Sequence, residues 1–577
     1  MNTVPTTAVD GLRISARDLG NEHGILYYST PETTSYRGYA DLDERARRLG
    51  HALVQRGHGI GDTVVLGVSD ALTVADTAFG AMYAGLAFVP APVSGPAVAA
   101  GLVPTLARIS AAAEASLLLV DAAVRDRLGD DIAQFGMPVL VLEELLGEGD
   151  PDAWTPPPID GDTIAYLLFT SGSTGDPKGV ITTHRGVVET SRACVPLFGL
   201  DRDATLVGWA PMHHIMGLAT QALFPAINGA KAVACATELF QRRPIFWLQL
   251  ISKHRGTSSA AGNFAFALCT QLATDEQIAE LDLRSLRTLF TASEPVRPET
   301  VRAFVERFGP TGITEDAIAP LMGMTEAMLI SGKSVTDALT IRRFDAAALE
   351  SGRLVPSAGA GSVEWVSCGR WTDRTSVVIV DPDTLMPVAE GVVGEIWVSS
   401  PMVSPGYFRR PDATAETFGR TLPGDDRSYM RTGDLAAIVD GELYVTGRLK
   451  EMLIIRGRNL YPQDIEAAAR ALSPAVGIGA VFELAGHPSA VGLAFEASAE
   501  ALAEAGETAD SLAELVRQRL VPGVSLPSLA VAVVAEGTLP RTPTGKVRRQ
   551  PTRAQLESGA LATLHASGFK PIATPTL

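Results

Sequence analysis

The chain has 577 residues, of which 46% are hydrophobic and 20% are charged, and its formal net charge is −17. This length is too great for one hydrophobic core, so we expect three or four lobes, and the composition is that of a globular protein, not a disordered one. The negative charge argues against a nucleic-acid-binding surface.

Strand and helix patterns alternate in the first third of the chain. Asp41-x-x-Glu44 matches a capping box ahead of a helix that runs to about Arg56. Strands are predicted at 63–67, 86–89 and 164–169, and an Ala-rich helix that ends at Ala84 separates the first two. This alternation predicts a β/α lobe with a mostly parallel sheet.

The rest of the chain divides into three further parts. A second β/α stretch covers about residues 200–335, and the less regular residues 336–372 could be an insertion. Short β-branched runs then predict a smaller β-rich lobe, with strands at 376–380, 394–398 and 442–445. After Arg448 the pattern changes to that of a separate α+β domain, with strands at 452–455, 492–497 and 529–534 and a helix at 510–520.

We therefore predict an α/β fold in which a large N-terminal domain, residues 1–449, contains two β/α lobes and a smaller β-rich lobe. A small α+β C-terminal domain, residues 450–577, follows it. The cysteines are scattered without a Cys-x-x-Cys pair, which gives no metal framework and suits a reducing compartment. Neither a signal peptide nor a membrane-spanning run is visible, so we expect a soluble, cytoplasmic protein.

The loop that follows the predicted strand 164–169 is the most informative segment. It reads Thr-Ser-Gly-Ser-Thr-Gly-Asp-Pro-Lys-Gly over residues 170–179. Glycines let backbone N–H groups approach an anion, hydroxyls add donors, and Lys178 supplies a point charge, so the loop could hold a phosphate. An ordinary surface turn has the same composition. The loop is not a P-loop, because Lys178 follows a proline where that motif needs Gly-Lys-Ser/Thr, and Gly545-Lys546 is followed by Val547.

Four later segments complete a pattern. They are Pro-Leu-Met-Gly-Met-Thr-Glu-Ala from residue 320, Arg-Thr-Gly-Asp-Leu from 431, Gly-Arg-Leu-Lys-Glu from 447 and Pro-Arg-Thr-Pro-Thr-Gly-Lys from 540. In this order, with the loop, they resemble the adenylate-forming superfamily of acyl-CoA synthetases, luciferases and peptide-synthetase adenylation domains. Residues 259–266, 293–296, 366–369 and 458–466 resemble its fatty acyl-AMP ligase branch, which carries an insertion that residues 336–372 could supply.

The resemblance implies a role for each matching position. Thr325 would touch the α-phosphate, Glu326 would bind Mg²⁺, and Asp434 would bind the ribose hydroxyls beside Arg448. Lys546 would be the catalytic lysine on a mobile C-terminal domain, with Lys450 as its hinge. The β- and γ-phosphates would lie against Thr170, Ser171, Gly172, Ser173, Thr174, Gly175 and Lys178. The adenine pocket would contain Ser293, Glu294, Pro295, Met322 and Gly323. The acid pocket would contain His214, Ile215, Gly217, Asn263 and Phe264.

The implied reaction is ATP-dependent activation of a carboxylic acid to an acyl-adenylate, with release of pyrophosphate. The acyl group would then pass to the phosphopantetheine thiol of an acyl carrier protein in lipid or natural-product biosynthesis. An acyl-CoA synthetase would share the first step, and a non-catalytic nucleotide-binding homologue would keep only the site. Because Lys178, Glu326, Asp434 and Lys546 are all present, the sequence favours an enzyme over the last alternative.

Three positions depart from the pattern of the branch. Ile215 replaces the Asp of His-Asp-Met-Gly, Met322 replaces a Tyr that stacks on adenine, and Gly262 replaces a Pro. Neutral drift explains such changes, and so does an acyl pocket reshaped for an unusual acid. His213 and His214 lack partners at zinc-ligand spacing, so packing or pocket lining is the better interpretation for both. No acidic residue adjoins Asn263 and Phe264 in the sequence, which argues against an α-amino acid substrate.

Overall fold

The first sheet of the large domain is mainly parallel and ends in an antiparallel pair. The computed structural model describes residues 4–95, 98, 101–170, 178–455, 458–484, 490–524, 526–541 and 547–569. In this sheet the spatial order is β6-β5-β3-β4-β7-β8, and only the β7–β8 pair is antiparallel. The strands are β3 (Thr63–Gly67), β4 (Ala87–Pro90), β5 (Leu117–Val120), β6 (Val139–Val141), β7 (Ile164–Thr170) and β8 (Lys178–Thr183).

The second sheet contains the first strands of the chain as well as later ones. Its order is β14-β13-β12-β11-β9-β10-β1-β2, parallel in the centre and antiparallel at both edges. The strands are β1 (Gly24–Tyr28), β2 (Thr34–Gly38), β9 (Thr205–Gly208), β10 (Lys231–Cys235), β11 (Ser258–Ala261), β12 (Thr288–Thr291), β13 (Ile318–Met322) and β14 (Ser331–Gly332). Sequence patterns had not indicated β1 and β2. Strand β2 pairs with β1, and β1 pairs with β10, which lies far along the chain.

The helices of these two lobes cover and separate the sheets. Those before residue 200 are α1 (Ala8–Leu19), α2 (Tyr39–Gln55), α3 (Ala71–Ala84), α4 (Leu102–Ala112), α5 (Ala122–Leu128), α6 (Leu142–Glu148) and α7 (His184–Phe198). The later ones are α8 (Ile215–Leu218), α9 (Phe224–Asn228), α10 (Thr237–Arg242), α11 (Ile245–His254), α12 (Asn263–Leu272), α13 (Asp275–Ala279) and α14 (Pro298–Phe308).

Helix α3 lies at the centre of the largest hydrophobic cluster, and small residues explain its position. It is buried along nearly its whole length and contacts strands of both sheets. A Cβ atom at Gly80 would lie 2.2 Å from a methyl carbon of Leu49, so the glycine lets α2 and α3 approach closely. The buried Asp76 carboxylate of α3 is paired with Arg37 and Arg45 at 3.0 and 2.7 Å, which compensates for its desolvation.

The insertion and the β-rich lobe complete the large domain. Residues 336–372 contain a hairpin of β15 (Ile341–Asp345) and β16 (Ser362–Val366), with α15 (Ala346–Glu350) between its strands. The β-rich lobe is antiparallel, in the order β17-β18-β20-β19, and β21 also pairs with β20. Its elements are β17 (Ser376–Val380), β18 (Gly394–Ser399), α16 (Pro411–Thr417), β19 (Arg420–Leu422), β20 (Asp425–Val439) and β21 (Glu442–Arg448).

The C-terminal part forms a smaller α+β domain around its own hydrophobic cluster. The short pair of β22 (Leu453–Ile455) and β23 (Arg458–Leu460) precedes a sheet in the order β24-β25-β26-β27. The remaining elements are α17 (Pro462–Arg470), β24 (Gly479–Glu483), β25 (Val491–Ala497), α18 (Ala499–Ala505), α19 (Ala509–Gly523), β26 (Leu529–Ala535), α20 (Arg549–Glu557) and β27 (His565–Ser567). The predicted α/β fold class is confirmed. The boundary at 449/450 and the mobility of this domain stay predictions.

One local prediction was wrong. The helix expected after an Asp41 capping box begins two residues earlier, at Tyr39, and its N-cap is Gly38, which offers no side-chain acceptor. Asp41 already lies inside the first turn, where its Oδ1 accepts a hydrogen bond from Asn21 Nδ2 at 2.7 Å. The helix starts early because β2 ends at Gly38 and the chain turns directly into α2.

Candidate functional site

The predicted phosphate loop connects two antiparallel strands. Thr170 at the end of β7 faces Lys178 at the start of β8, and residues 171–177 lie outside the described residues. The predicted contacts of Ser171, Gly172, Ser173, Thr174 and Gly175 therefore stay predictions. Because β8 follows the loop directly, the next helix, α7, begins only at His184. The loop is therefore not followed directly by a helix whose N-terminal dipole could favour an anion.

Lys178 and Glu326 are brought together by Tyr407, a residue that the sequence interpretation missed. The Lys178 ammonium lies 4.9 Å from the centre of the Tyr407 ring, a cation–π distance. The Tyr407 hydroxyl donates a hydrogen bond to Glu326 Oε1 at 3.0 Å. Backbone bonds from Ile181 to Gly406 O (3.1 Å) and from Phe408 to Gly179 O (2.8 Å) hold this tyrosine beside β8. A Gly-Tyr pair in a loop was the local sign that could have indicated it.

Glu326 is a buried carboxyl group that feels two positive charges. Glu326 is only 8% exposed, and burial raises its pKa, against the lowering effects of the Tyr407 hydroxyl and of the charges on Arg448 and Lys178. A nearly enclosed carboxyl group with a shifted pKa and charged neighbours is a candidate functional group. Among the described residues, no cluster of three or more His, Cys, Asp or Glu side chains could hold a metal ion.

Met322 ends β13, and Gly323 and Thr325 lie in the loop between β13 and β14. A Cβ atom at Gly323 would lie 2.3 Å from the carbonyl oxygen of Met328, so only glycine fits this turn. The Met322 carbonyl accepts a hydrogen bond from the Ile330 amide at 2.9 Å, which closes the turn. Thr325 faces Thr182, Thr183 and Ser404 across a narrow crevice. The crevice is therefore lined with hydroxyl groups next to Glu326.

Asp434 and Arg448 form an ion pair between neighbouring strands. They are opposite each other on β20 and β21, and Arg448 Nε lies 3.2 Å from Asp434 Oδ1. Asp434 is buried, whereas the side chain of Arg448 is 57% exposed. Since Arg448 also lowers the pKa of Glu326 through its charge, the Asp434 pair and the Glu326 cluster belong to one region of the molecule.

Two hydrogen bonds connect the predicted adenine segment, which begins at Ser293, to the start of α12, the predicted acid-pocket helix. Glu294 Oε1 accepts the Phe264 amide hydrogen at 2.7 Å, and Asn263 Oδ1 accepts that of Arg297 at 3.1 Å. A Cβ atom at Gly262 would lie 2.8 Å from Glu294 Oε1. The glycine found there instead of proline thus lets Glu294 reach the start of α12. Glu294 also brings to this helix a carboxylate that the local sequence does not show.

His214, Ile215 and Gly217 form the short helix α8 and its cap. The Nδ1 atom of His214 accepts the Met216 amide hydrogen at 3.2 Å, and Ile215 packs against the largest core cluster. A Cβ atom at Gly217 would lie 2.3 Å from the carbonyl oxygen of Pro211, so the glycine lets α8 fold back on the preceding loop. The structure therefore gives His214 a capping contact, and its place in an acid pocket stays a prediction.

Lys450 is exposed in the turn that follows β21, where the C-terminal domain is predicted to begin. Its neighbour Glu451 is paired with Arg549 at the start of α20, and Arg549 also bonds Glu466 of α17 at 2.7 and 2.8 Å. The predicted catalytic residue Lys546 lies outside the described residues. Its position relative to Glu326 and Lys178 stays a prediction.

Comparison with known proteins gives a family match and several similar relatives. Residues 20–408 match the family model described as AMP-binding enzyme. The chain is 34% identical over 538 residues to the medium-chain-fatty-acid–[acyl-carrier-protein] ligase JamA of Moorena producens, covering 91% of this chain and 90% of the relative. It is 34% identical over 459 residues to the long-chain-fatty-acid–AMP ligase FadD26 of Mycobacterium tuberculosis, covering 75% of each.

Solved structures agree over nearly the full length. A structure from a study of fatty acyl-adenylate ligases of E. coli and L. pneumophila has a TM-score of 0.84 at 27% identity, covering 96% of this chain and 98% of that one. A fatty acyl-adenylate ligase of L. pneumophila in complex with acyl adenylate and pyrophosphate has a TM-score of 0.74 at 28% identity, and 97% of each chain is covered.

The chain belongs to the AMP-binding enzyme family. Within it, the relatives and the structural neighbours place the chain in the fatty acyl-AMP ligase branch, and it is an adenylate-forming ligase that uses ATP. The resemblance seen in the sequence motifs is thereby confirmed. Among the described residues, no helix is both long and apolar enough to cross a bilayer.

Proposed function

We propose that this enzyme activates a fatty or related carboxylic acid and transfers it to an acyl carrier protein. A carboxylate oxygen of the acid attacks the α-phosphorus of ATP, the bond to the β-phosphate breaks, and pyrophosphate leaves. The carrier's phosphopantetheine sulfur then attacks the acyl carbon, AMP leaves, and the thiol proton is released. The near full-length match to an acyl-carrier-protein ligase supports this acceptor. The cytoplasm, where ATP is available, is the proposed location.

The cluster of Lys178, Tyr407 and Glu326 is the observation that carries the proposal. It puts a cation over the face of the Tyr407 ring and a buried carboxyl group at the hydroxyl of the same ring, next to a loop whose sequence is rich in N–H and hydroxyl donors. Such a cluster is suited to a triphosphate with its counter-ion, because it offers both a positive group for the phosphates and an anionic oxygen for a cation.

Mg²⁺ fits the donor set of this cluster. Mg²⁺ keeps several waters and is commonly bound by one or two carboxylates together with substrate phosphates, so a single buried Glu326 meets its requirement. Glu326 would hold the ion, and Tyr407 would orient the carboxylate through its hydroxyl. When bound, the ion would neutralise charge on the phosphate oxygens. Lys178 would hold the β- and γ-phosphates.

The other site residues would bind and orient the two substrates. Asp434, aligned by Arg448, would accept hydrogen bonds from the ribose hydroxyls. Thr325 would donate to the α-phosphate, and Lys546 would stabilise the charge that develops there as the two anions meet. No general base is needed, because a carboxylic acid is ionised at neutral pH. The hydrogen bond from the Phe264 amide to Glu294 would fix the position of the adenine pocket relative to the acid pocket.

Acid-dependent exchange of labelled pyrophosphate into ATP tests the first step, with a panel of straight-chain fatty acids as probes. We expect exchange with the wild type. Lys546→Ala should lose about 10²–10³-fold in rate, as is typical when a group that stabilises transition-state charge is removed, while ATP binding persists. Exchange by Lys546→Ala at the wild-type rate would contradict the role of this lysine. If the wild type catalyses no exchange with any acid, the protein would be a non-catalytic nucleotide-binding homologue.

Mass spectrometry of the acyl product tests the second step. The enzyme, ATP and an accepted acid are incubated with either CoA or a holo acyl carrier protein, and an apo carrier without phosphopantetheine is the matched control. We expect a mass increase on the holo carrier and none on the apo carrier. Rapid formation of acyl-CoA with an unmodified holo carrier would identify an acyl-CoA synthetase instead.

A further inference from the structure

Glu395 of β18 is a buried carboxylate, and both of its oxygens accept hydrogen bonds. The donors lie on β18 itself and on β20, the strand that carries Asp434. The Glu395 side chain is 2% exposed. Oε1 accepts the Gly433 amide hydrogen at 3.0 Å, and Oε2 accepts from Arg431 Nε at 2.9 Å and from Trp397 Nε1 at 3.0 Å. Sequence analysis had not singled out this residue. Its bonds converge on the turn immediately before Asp434.

This turn departs from regular strand geometry. The register between β18 and β20 shifts between Glu395 and Trp397, so that residues 432–434 bulge opposite a single residue of β18. Gly433 has φ = +72°, a left-handed conformation that glycine adopts without strain. The Thr432 hydroxyl donates to Ile396 O at 2.8 Å, and its oxygen accepts the Asp434 amide hydrogen at 3.1 Å.

The peptide groups on both sides of Gly433 are therefore fixed. Its N–H is bonded to Glu395 Oε1, and its carbonyl oxygen accepts the Leu449 amide hydrogen at 2.9 Å. Leu449 follows Arg448, the ion-pair partner of Asp434. Glycine allows the backbone many conformations. The two hydrogen bonds restrict this freedom at Gly433, directly before Asp434, the predicted ribose ligand.

We propose that Glu395 is a positioning residue for ribose recognition: it fixes the bulge at Gly433 and thereby aims the Asp434 carboxylate at the two ribose hydroxyls. This inference rests on the proposed function, in which Asp434 binds the ribose. Glu395 acts through Gly433 and Asp434 and does not itself touch the nucleotide.

A glutamine in place of Glu395 cannot reproduce the arrangement. An ionised carboxylate accepts on both oxygens, whereas an amide has one acceptor oxygen and one NH₂ group. In either orientation of the substituted amide, the NH₂ group would face an N–H donor, of Gly433 on one side or of Arg431 and Trp397 on the other. Glu395→Gln therefore conserves volume but disrupts the support of the turn.

The test compares ATP with 2′,3′-dideoxy-ATP, which lacks both ribose hydroxyls, by titration calorimetry without any acid. We expect the wild type to prefer ATP by about tenfold or more, because hydrogen bonds from hydroxyls to a charged acceptor are among the stronger ones. Glu395→Gln should reduce this preference to within about threefold by weakening ATP binding alone. Asp434→Ala should show the same loss, and the double variant should lose no more than Asp434→Ala.

Asp76→Asn is the matched control. Asp76 is equally buried and bonded by arginines, but it lies on α3 away from the Asp434 turn, so its variant should lower the melting temperature and keep the preference for ATP. If Glu395→Gln does not fold, Glu395→Asp replaces it. The aspartate keeps the charge that Arg431 faces but is one methylene too short to reach Gly433 as well. The same loss of preference is expected.

Each contrary outcome has a distinct meaning. A Glu395 variant that keeps the preference, or that weakens both nucleotides equally, would show a structural role only and overturn the inference. A preference that survives in Asp434→Ala would overturn it as well, because Asp434 would then not bind the ribose. Failure of the proposed function would be visible in the wild type itself, as an absence of ATP binding or, where ATP binds, as an absence of acid-dependent pyrophosphate exchange.

Discussion

At the scale of single residues, the site depends on one buried carboxyl group and its surroundings. Burial alone would favour the neutral form of Glu326, and the nearby Lys178 and Arg448 charges oppose this. A cation bound at Glu326 would act in the same direction as these side chains. The pKa of the carboxyl group is raised on balance, and a metal ion with ATP would complete its charge compensation.

Glu326→Gln should raise the concentration of Mg²⁺ needed for half-maximal pyrophosphate exchange by about tenfold or more, because it removes the anionic ligand but keeps the volume. Tyr407→Phe is the matched comparison. It removes the hydroxyl that donates to Oε1 and keeps the carboxylate, so its shift in Mg²⁺ requirement should be smaller. The same Mg²⁺ dependence in Glu326→Gln and the wild type would contradict the assigned ligand.

The sequence indicated the site residues better than their contacts. Glu326 and Asp434 were visible because each belongs to a short segment that carries its own pattern. Tyr407 was missed because its bond to Glu326 spans 81 positions of the chain and depends on how Gly406 pairs with β8. Glu395 was missed because a single acidic residue in an apolar strand gives no local sign of three donors arriving from its own and a neighbouring strand.

At the scale of elements, the buried strands were the most predictable part. The bounds of β3 and β17 agree with the sequence prediction, because each is a short run rich in β-branched and apolar residues; β3 is buried throughout, and β17 buries Val377, Ile379 and Val380. The start of α2 was not predictable from its cap, since the preceding strand sets where the chain turns. The pairing of β1 with β10 likewise depends on the tertiary fold.

His184, the first residue of α7, makes the docking of this helix sensitive to acid. It is 1% exposed, and its Nδ1 accepts the amide hydrogen of Ala8 at the start of α1 at 3.3 Å. Burial lowers the pKa of His184 to about 4, whereas the unfolded chain has about 6.5. The stabilisation is therefore complete above pH 6.5 and is lost as the pH falls through the folded value, by up to about 3 kcal/mol.

We expect the melting temperature of the wild type to fall between pH 6.5 and 4.5 more steeply than that of His184→Asn, in which an amide oxygen can replace Nδ1 without titrating. Each protein is compared with its own value at pH 7.5, so the cost of the substitution itself cancels. His213, whose pKa burial also lowers to about 4, leaves a residual slope in the variant. Parallel pH profiles for the two proteins would contradict the role of His184.

At the scale of the whole molecule, the two domains meet next to the predicted adenine segment. Arg297, three residues after Glu294, donates from Nη1 to Asp464 Oδ1 at 3.0 Å and from Nη2 to the Gln463 carbonyl at 2.9 Å. A second contact joins Arg458 of β23 to Glu350 of the insertion. The segment that would bind adenine and residues 336–372 are thus both in contact with the C-terminal domain, whose mobility the sequence resemblance implies.

Arg297→Ala should weaken this domain contact and expose the connection after β21. Both partners are partly exposed, so the ion pair is worth at most about 1 kcal/mol, or about a fivefold change in the ratio of docked to undocked domain. Limited trypsin digestion provides the measurement, because Arg448 and Lys450 are exposed cleavage sites in this connection. We expect cleavage there to be up to about fivefold faster than in the wild type, with a smaller difference at high salt.

Arg302→Ala is the matched control, since it breaks an ion pair with Glu364 that lies entirely within the large domain. Equal cleavage rates for Arg297→Ala and Arg302→Ala would mean that Arg297 does not hold the C-terminal domain in this arrangement.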